Sequence, residues 1–93
     1  MPVGLLSVEL HLPGSRSLKD KRMLLRSVKD RLRKFNVAVA EMDHHDLWQR
    51  AGLGIVAIGT TDAHVDQELS AVVREIERVE PGLITGTEIE FLK

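Results

Sequence analysis

Between Val3 and Leu12 apolar and polar positions alternate. Leu6, Val8, Leu10 and Leu12 share one side, and Leu5, Ser7, Glu9 and His11 share the other. A period of two predicts a half-buried strand, which the turn pair Pro13-Gly14 closes. The period then changes. Ser17-Leu-Lys-Asp20 has the form of a capping box, with Asp in place of the usual Glu. Leu18, Leu25, Val28, Leu32 and Phe35 follow at three-and-four spacing, which predicts an amphipathic helix. Asn36 is placed to end it in a left-handed conformation. Short strands are predicted at 37–42 and 51–60, joined by the polar stretch 43–50. Thr61-Asp62 caps a second helix bearing Val65, Leu69, Val72, Val73, Ile76 and Val79, and Pro81-Gly82 stops it. The final segment, 83–92, alternates again, with Glu88 and Glu90 opposite Ile89 and Phe91.

The order is therefore β-α-β-β-α-β, and two interlocked right-handed βαβ halves make a ferredoxin-like α+β plait. A four-stranded antiparallel sheet carries both helices on one face, in one domain spanning residues 1–93. The other face is left bare. It would hold Leu5 and, from the strand 53–58, either Leu53 and Ile55 or Val56 and Ile58, because both sides of that strand are apolar. An exposed apolar patch of this kind marks an interface, so a homodimer is expected, packed sheet to sheet or edge to edge.

Charge adds what the apolar pattern does not contain. The chain of 93 residues has a net charge of −1, but the charge is divided unevenly. Residues 14–36 hold nine Lys or Arg and two Asp, a net of +7, and the remainder holds four basic and twelve acidic residues, a net of −8. Counted at 100° per residue, Lys19, Arg22, Arg26, Lys29 and Arg33 fall on one side of the first helix, beside its apolar stripe. Lys21 points towards the buried side, where it must snorkel out or meet a carboxylate. The row reads either as a solvated face or as a phosphate-binding ridge for structured RNA. With two Phe and one Trp in the chain, base stacking on the sheet face is not expected.

The stretch 41-EMDHHDLWQR-50 concentrates side chains that could carry chemistry. His44 and His45 are adjacent and would point to opposite faces of a strand, so they are poorly placed to share one ion. Asp43, His45 and Glu41 would share a side as an exposed, oxygen-rich set. The preferred reading is a structural hairpin in which Asp46 caps the turn and Trp48 folds over the sheet edge. Asp43 or Asp46 would partner Lys21 or Arg50, and no metal or cofactor is expected. No nucleophile lies beside a base: Ser7 and His11 are about 13 Å apart along their strand, and Glu9 would pair with His11. Gly52, Gly54 and Gly59 lie in a strand, not in a phosphate loop. The chain is expected not to be an enzyme. The chain has no cysteine, which removes disulfides and thiol chemistry. No apolar run approaches the ~20 residues of a membrane span and the N-terminus lacks a basic leader, so a cytoplasmic location is expected. One Asn and two Gln suggest a heat-adapted composition.

SLKDKR at 17–22, the basic helix running to Phe35-Asn36-Val37, and AEMDHHDLWQRAGLGIVAIGTT at 40–61 resemble the YlxP-like family, small bacterial proteins carrying a domain of unknown function. Ser17, Leu18, Lys19, Lys21, Arg22, Asp46, Trp48, Gln49 and Arg50 match its motifs. The resemblance implies a ferredoxin-like fold and association with translation, because members are encoded near initiation factor 2 and ribosome-binding factor A. It implies no catalytic residue. It favours an RNA- or ribosome-associated accessory protein acting through Lys19, Lys21, Arg22, Arg26, Lys29, Arg33 and Arg50, with the Trp48–Arg50 end of the hairpin (Asp43, Asp46, Trp48, Gln49) completing the surface. The alternative is a dimeric small-ligand or metal-responsive regulator, by analogy of fold alone.

Overall fold

The computed structural model describes residues 1–92. Six elements follow in the expected order: β1 (Val3–His11), α1 (Leu18–Leu32), β2 (Val37–Asp43), β3 (Arg50–Ile58), α2 (Asp62–Val79) and β4 (Ile84–Leu92). The sheet order is β2-β3-β1-β4 and every neighbouring pair is antiparallel, which is the ferredoxin-like plait. β2 and β4 are the two edges. Among the described residues no helix is long and apolar enough to cross a membrane.

Alternation in β1 sets the inner face. Leu6, Val8, Leu10 and Leu12 are each at most 1% exposed. The register places Leu6 opposite Ile55 and Leu5 opposite Val56. This resolves the ambiguity of β3: Ala51, Leu53, Ile55 and Ala57 enter the core, while Val56 and Ile58 stay on the open face. Glu88 and Glu90 pair with Ser7 and Leu5 on that open face, and Ile89 and Phe91 turn inward, as their alternation predicts. Gly4 lies on the inner face because a Cβ there would meet Val65 Cγ1 at 2.7 Å, so the bare backbone lets α2 settle against β1.

Ser17 caps α1, its hydroxyl accepting from Asp20 N at 3.1 Å. The reciprocal arm reaches one residue further than a capping box would, since Asp20 accepts from Arg16 N at 3.1 Å. Thr61 caps α2 in the same way through His64 N. Two expectations for α1 are corrected. The helix ends at Leu32, and Asn36 is not left-handed: its N–H donates to Glu68 on α2 at 3.2 Å, which ties the connection down without a left-handed residue. Leu18 is also too near the helix start to be covered and stays 37% exposed. The buried stripe is Lys21, Leu25, Val28 and Leu32.

Candidate functional site

Lys21 occupies a core position with a charged side chain. Its residue is 2% exposed. The ammonium donates to the carbonyls of His44 and Leu47, the latter at 2.8 Å, and forms an ion pair with Glu41 Oε2 at 2.8 Å. Glu41 reaches it because Glu41 opposes Leu53 on the inner face of the sheet. The expectation that Lys21 contacts phosphate is therefore corrected. Its donors are used internally, and it clamps the hairpin to the first turn of α1. The expected partners Asp43 and Asp46 are not the ones chosen, because both lie on the exposed side of the hairpin.

Gln49 ties the hairpin to the molecule from its other arm. Its amide donates to Ser15 O at 3.3 Å and lies 3.5 Å from Pro13 O, while its own carbonyl accepts from Leu12 N at 2.8 Å. The turn itself closes through Leu47 N to His44 O at 3.1 Å. Asp46 has no part in it. Asp43 instead accepts from His44 N at 2.9 Å. Trp48, flanked by two tethered neighbours, is 53% exposed and borders a shallow pocket of about 440 Å³ with His11, Asp46, Leu47, Gln49 and Arg50.

The histidines depart from strand alternation because His44 has already left the strand, with φ at 60°. Its ring swings across the open face. Nε2 lies 3.1 Å from Glu9 Oε1 and Nδ1 lies 3.8 Å from Asp43 Oδ1. His45 goes elsewhere, to the Glu41 carbonyl at 3.1 Å. The set brought together is thus Glu9, Asp43 and His44, with ligand atoms within 4.8 Å of one another, and not Glu41, Asp43 and His45. One ring thus sits between two carboxylates, with Glu9 within hydrogen-bond distance and Asp43 beyond it. Glu9 also meets Arg50 at 3.5 Å. The expected Glu9–His11 couple does not form, because cross-strand and hairpin partners lie closer than the second residue along the same strand. Beneath them Gly54 is bare because Met42 crosses over it: a Cβ there would sit 2.7 Å from Met42 Cγ.

The cations of α1 divide by their surroundings. Arg33 leans on Asp30 at 3.4 Å, and Lys34 reaches Glu75 of α2 at 3.1 Å. Glu75 is itself buried and gripped by Arg78 at 2.8 and 3.2 Å. Hydrogen bonding from Arg78 holds its carboxyl below the usual glutamate range, opposed by burial and assisted by Lys34. Lys19, Arg22, Arg26 and Lys29 make no ion pair among the described residues. Arg22, Arg26 and Lys29 line a groove of about 230 Å³ with Leu25 and Glu41, between α1 and β2. The result is a cationic flank beside an open sheet edge. Helical spacing finds this flank. Glu41 and Glu9, which neutralise Lys21 and Arg50, are long-range partners that spacing does not reveal.

A family model described as "Protein of unknown function (DUF503)" matches residues 3–89. The uncharacterized protein YlxP of Bacillus subtilis (strain 168) is 34% identical over 93 residues, covering 92% of this chain and 97% of that protein.

Proposed function

The chain belongs to the DUF503 family of proteins of unknown function, and we propose that it is an RNA-binding accessory protein, without catalytic activity, that grips the phosphate backbone of structured RNA in ribosome maturation or translation. One observation carries the reading. Lys19, Arg22, Arg26 and Lys29 share a flank of α1 and have no carboxylate partner among the described residues, as is also true of Arg16, Arg31 and Arg74 elsewhere, whereas Lys21, Arg33, Lys34, Arg50 and Arg78 each have one. Like charges three and four residues apart on a helix repel, at a few tenths of a kcal/mol per pair. A polyanion relieves that repulsion and gains counterion release besides. Arg offers forked donors and Lys a point charge, both suited to phosphate oxygens. Arg33 and Arg50, each already leaning on a carboxylate, are weaker contributors at the margins.

Sedimentation with small ribosomal subunits tests it. The wild-type protein co-sediments at low salt and is released at high salt, and the double variant Arg22→Glu, Arg26→Glu stays in the supernatant while keeping its melting temperature. Undiminished co-sedimentation of the double variant contradicts the reading.

On the opposite side of the molecule the apolar part of the open face is proposed to pair with a second copy. Ile58 is 50% and Met42 63% exposed there, next to Leu5 and Val56. Equilibrium ultracentrifugation of Ile58→Glu against wild type measures this, a dimer giving way to a monomer. The small-ligand or metal-responsive alternative rests on the cluster of Glu9, Asp43 and His44 alone.

A further inference from the structure

Trp48 is the one tryptophan of the chain, and it stands in the bend between the turn 44–47 and β3 with more than half of its surface exposed. A connection that had only to reverse the chain has no need of a large aromatic ring in solvent there. The neighbours on both sides are held in place. Leu47 offers its carbonyl to buried Lys21 at 2.8 Å, and Gln49 is fixed by Leu12 N at 2.8 Å and Ser15 O at 3.3 Å. Hydrogen bonds on both sides thus fix the backbone that carries the exposed indole, which favours a preorganised contact residue. The adjoining pocket brings the imidazole of His11 and the guanidinium of Arg50 next to the ring, with the carboxylate of Asp46 at its rim. Lys21 ties the Leu47 carbonyl to the first turn of α1, so the bend that carries Trp48 adjoins the end of α1 where a row of cations about 15 Å long begins.

Resting on the RNA reading above, we infer that Trp48 stacks on an unpaired nucleotide next to the double-stranded segment gripped by α1, with Arg50 and His11 facing that nucleotide's phosphate. The ligand class is then a junction between paired and unpaired RNA, not a continuous duplex. Aromatic stacking of one base has the strength to discriminate between the two by about tenfold or more.

Two fluorescein-labelled RNAs serve as probes, a blunt twelve-base-pair duplex and the same duplex with a three-adenosine overhang. Binding is read by anisotropy, and tryptophan emission is read with the unlabelled RNAs. Emission reports on Trp48 alone, since the chain has no other Trp and no Tyr. The overhang duplex binds about tenfold more tightly than the blunt one and quenches the emission, which the blunt duplex leaves nearly unchanged. Trp48→Ala removes the tenfold preference and keeps the blunt-duplex affinity, and Trp48→Phe restores part of the preference. A preference that survives Trp48→Ala overturns the inference, as does unmoved emission on binding the overhang duplex. Equal affinity of the wild type for the two RNAs does the same, and is the result expected if the indole docks a protein partner. If the blunt duplex fails to bind the wild type at low salt, the phosphate reading itself falls, and the stacking inference falls with it.

Discussion

α1 and α2 have the same outline: each is capped by a hydroxyl residue and buries a stripe of four or five side chains against the sheet. Their charges are handled in opposite ways. On α2 the buried carboxylate of Glu75 is matched by Arg78 one turn later and by Lys34 across the helix pair. On α1 the one cation that enters the core, Lys21, is matched by Glu41 and two hairpin carbonyls, and its sequence neighbour Arg22 is not matched among the described residues. The difference between the helices is therefore not a lack of available carboxylates. It is a division within α1 between a lysine spent on holding the structure together and arginines left facing outward.

The largest expected effect comes from disturbing that division at its buried end. Lys21→Met leaves Glu41 without its cation and the Leu47 carbonyl without a donor. Loss of one partner of a buried ion pair costs about 3 kcal/mol. For a domain of this size that lowers the melting temperature by roughly 15 °C, readable by circular dichroism. A melting temperature within a few degrees of wild type would mean that the clamp contributes little.

Next is a matched pair of truncations. Arg26→Ala weakens RNA binding about fivefold to tenfold, on the scale of one lost phosphate contact. Arg78→Ala on α2 leaves binding unchanged and lowers stability instead, because it removes the nearer of Glu75's two cations. Equal effects of both variants on binding would erase the contrast between the helices.

A smaller effect is expected in the pH dependence of stability. Glu75 has its carboxyl lowered by Arg78 first and Lys34 second. A lowered folded-state value means a stabilisation fully present above the ordinary glutamate pKa of about 4.3 and lost as pH falls through the folded value. The gap in melting temperature between wild type and Glu75→Gln is thus widest near neutral pH and narrows towards pH 3. The smallest effect belongs to Arg33→Ala. Its pairing with Asp30 is exposed, and stability changes by no more than about 0.5 kcal/mol.

The sequence makes the fold legible because local signals agree with tertiary ones. β1 alternates cleanly, both hydroxyl caps form, and Pro81-Gly82 ends α2 with Gly82 at φ 85°. Where two faces are equally apolar, as in β3, periodicity has nothing to choose between, and only the register against β1 decides. The basic flank of α1 is legible for a similar reason, since helical spacing alone puts Arg22, Arg26 and Lys29 together. Lys21 is half legible: the same spacing turns it inward, but its acceptors lie 20 or more residues away in the hairpin. The histidine pair misleads because the strand ends at Asp43, one residue before it. At φ 60° His44 leaves the pleat and meets Glu9 and Asp43 from a direction that no strand pattern predicts.

The most direct test of the outward row is the salt dependence of binding to structured small-subunit RNA. With about four phosphate contacts from Lys19, Arg22, Arg26 and Lys29, log affinity falls against log salt with a slope between about −3 and −4. In the Arg22→Glu, Arg26→Glu variant the slope flattens to half of that or less. A wild-type slope near zero would contradict the account.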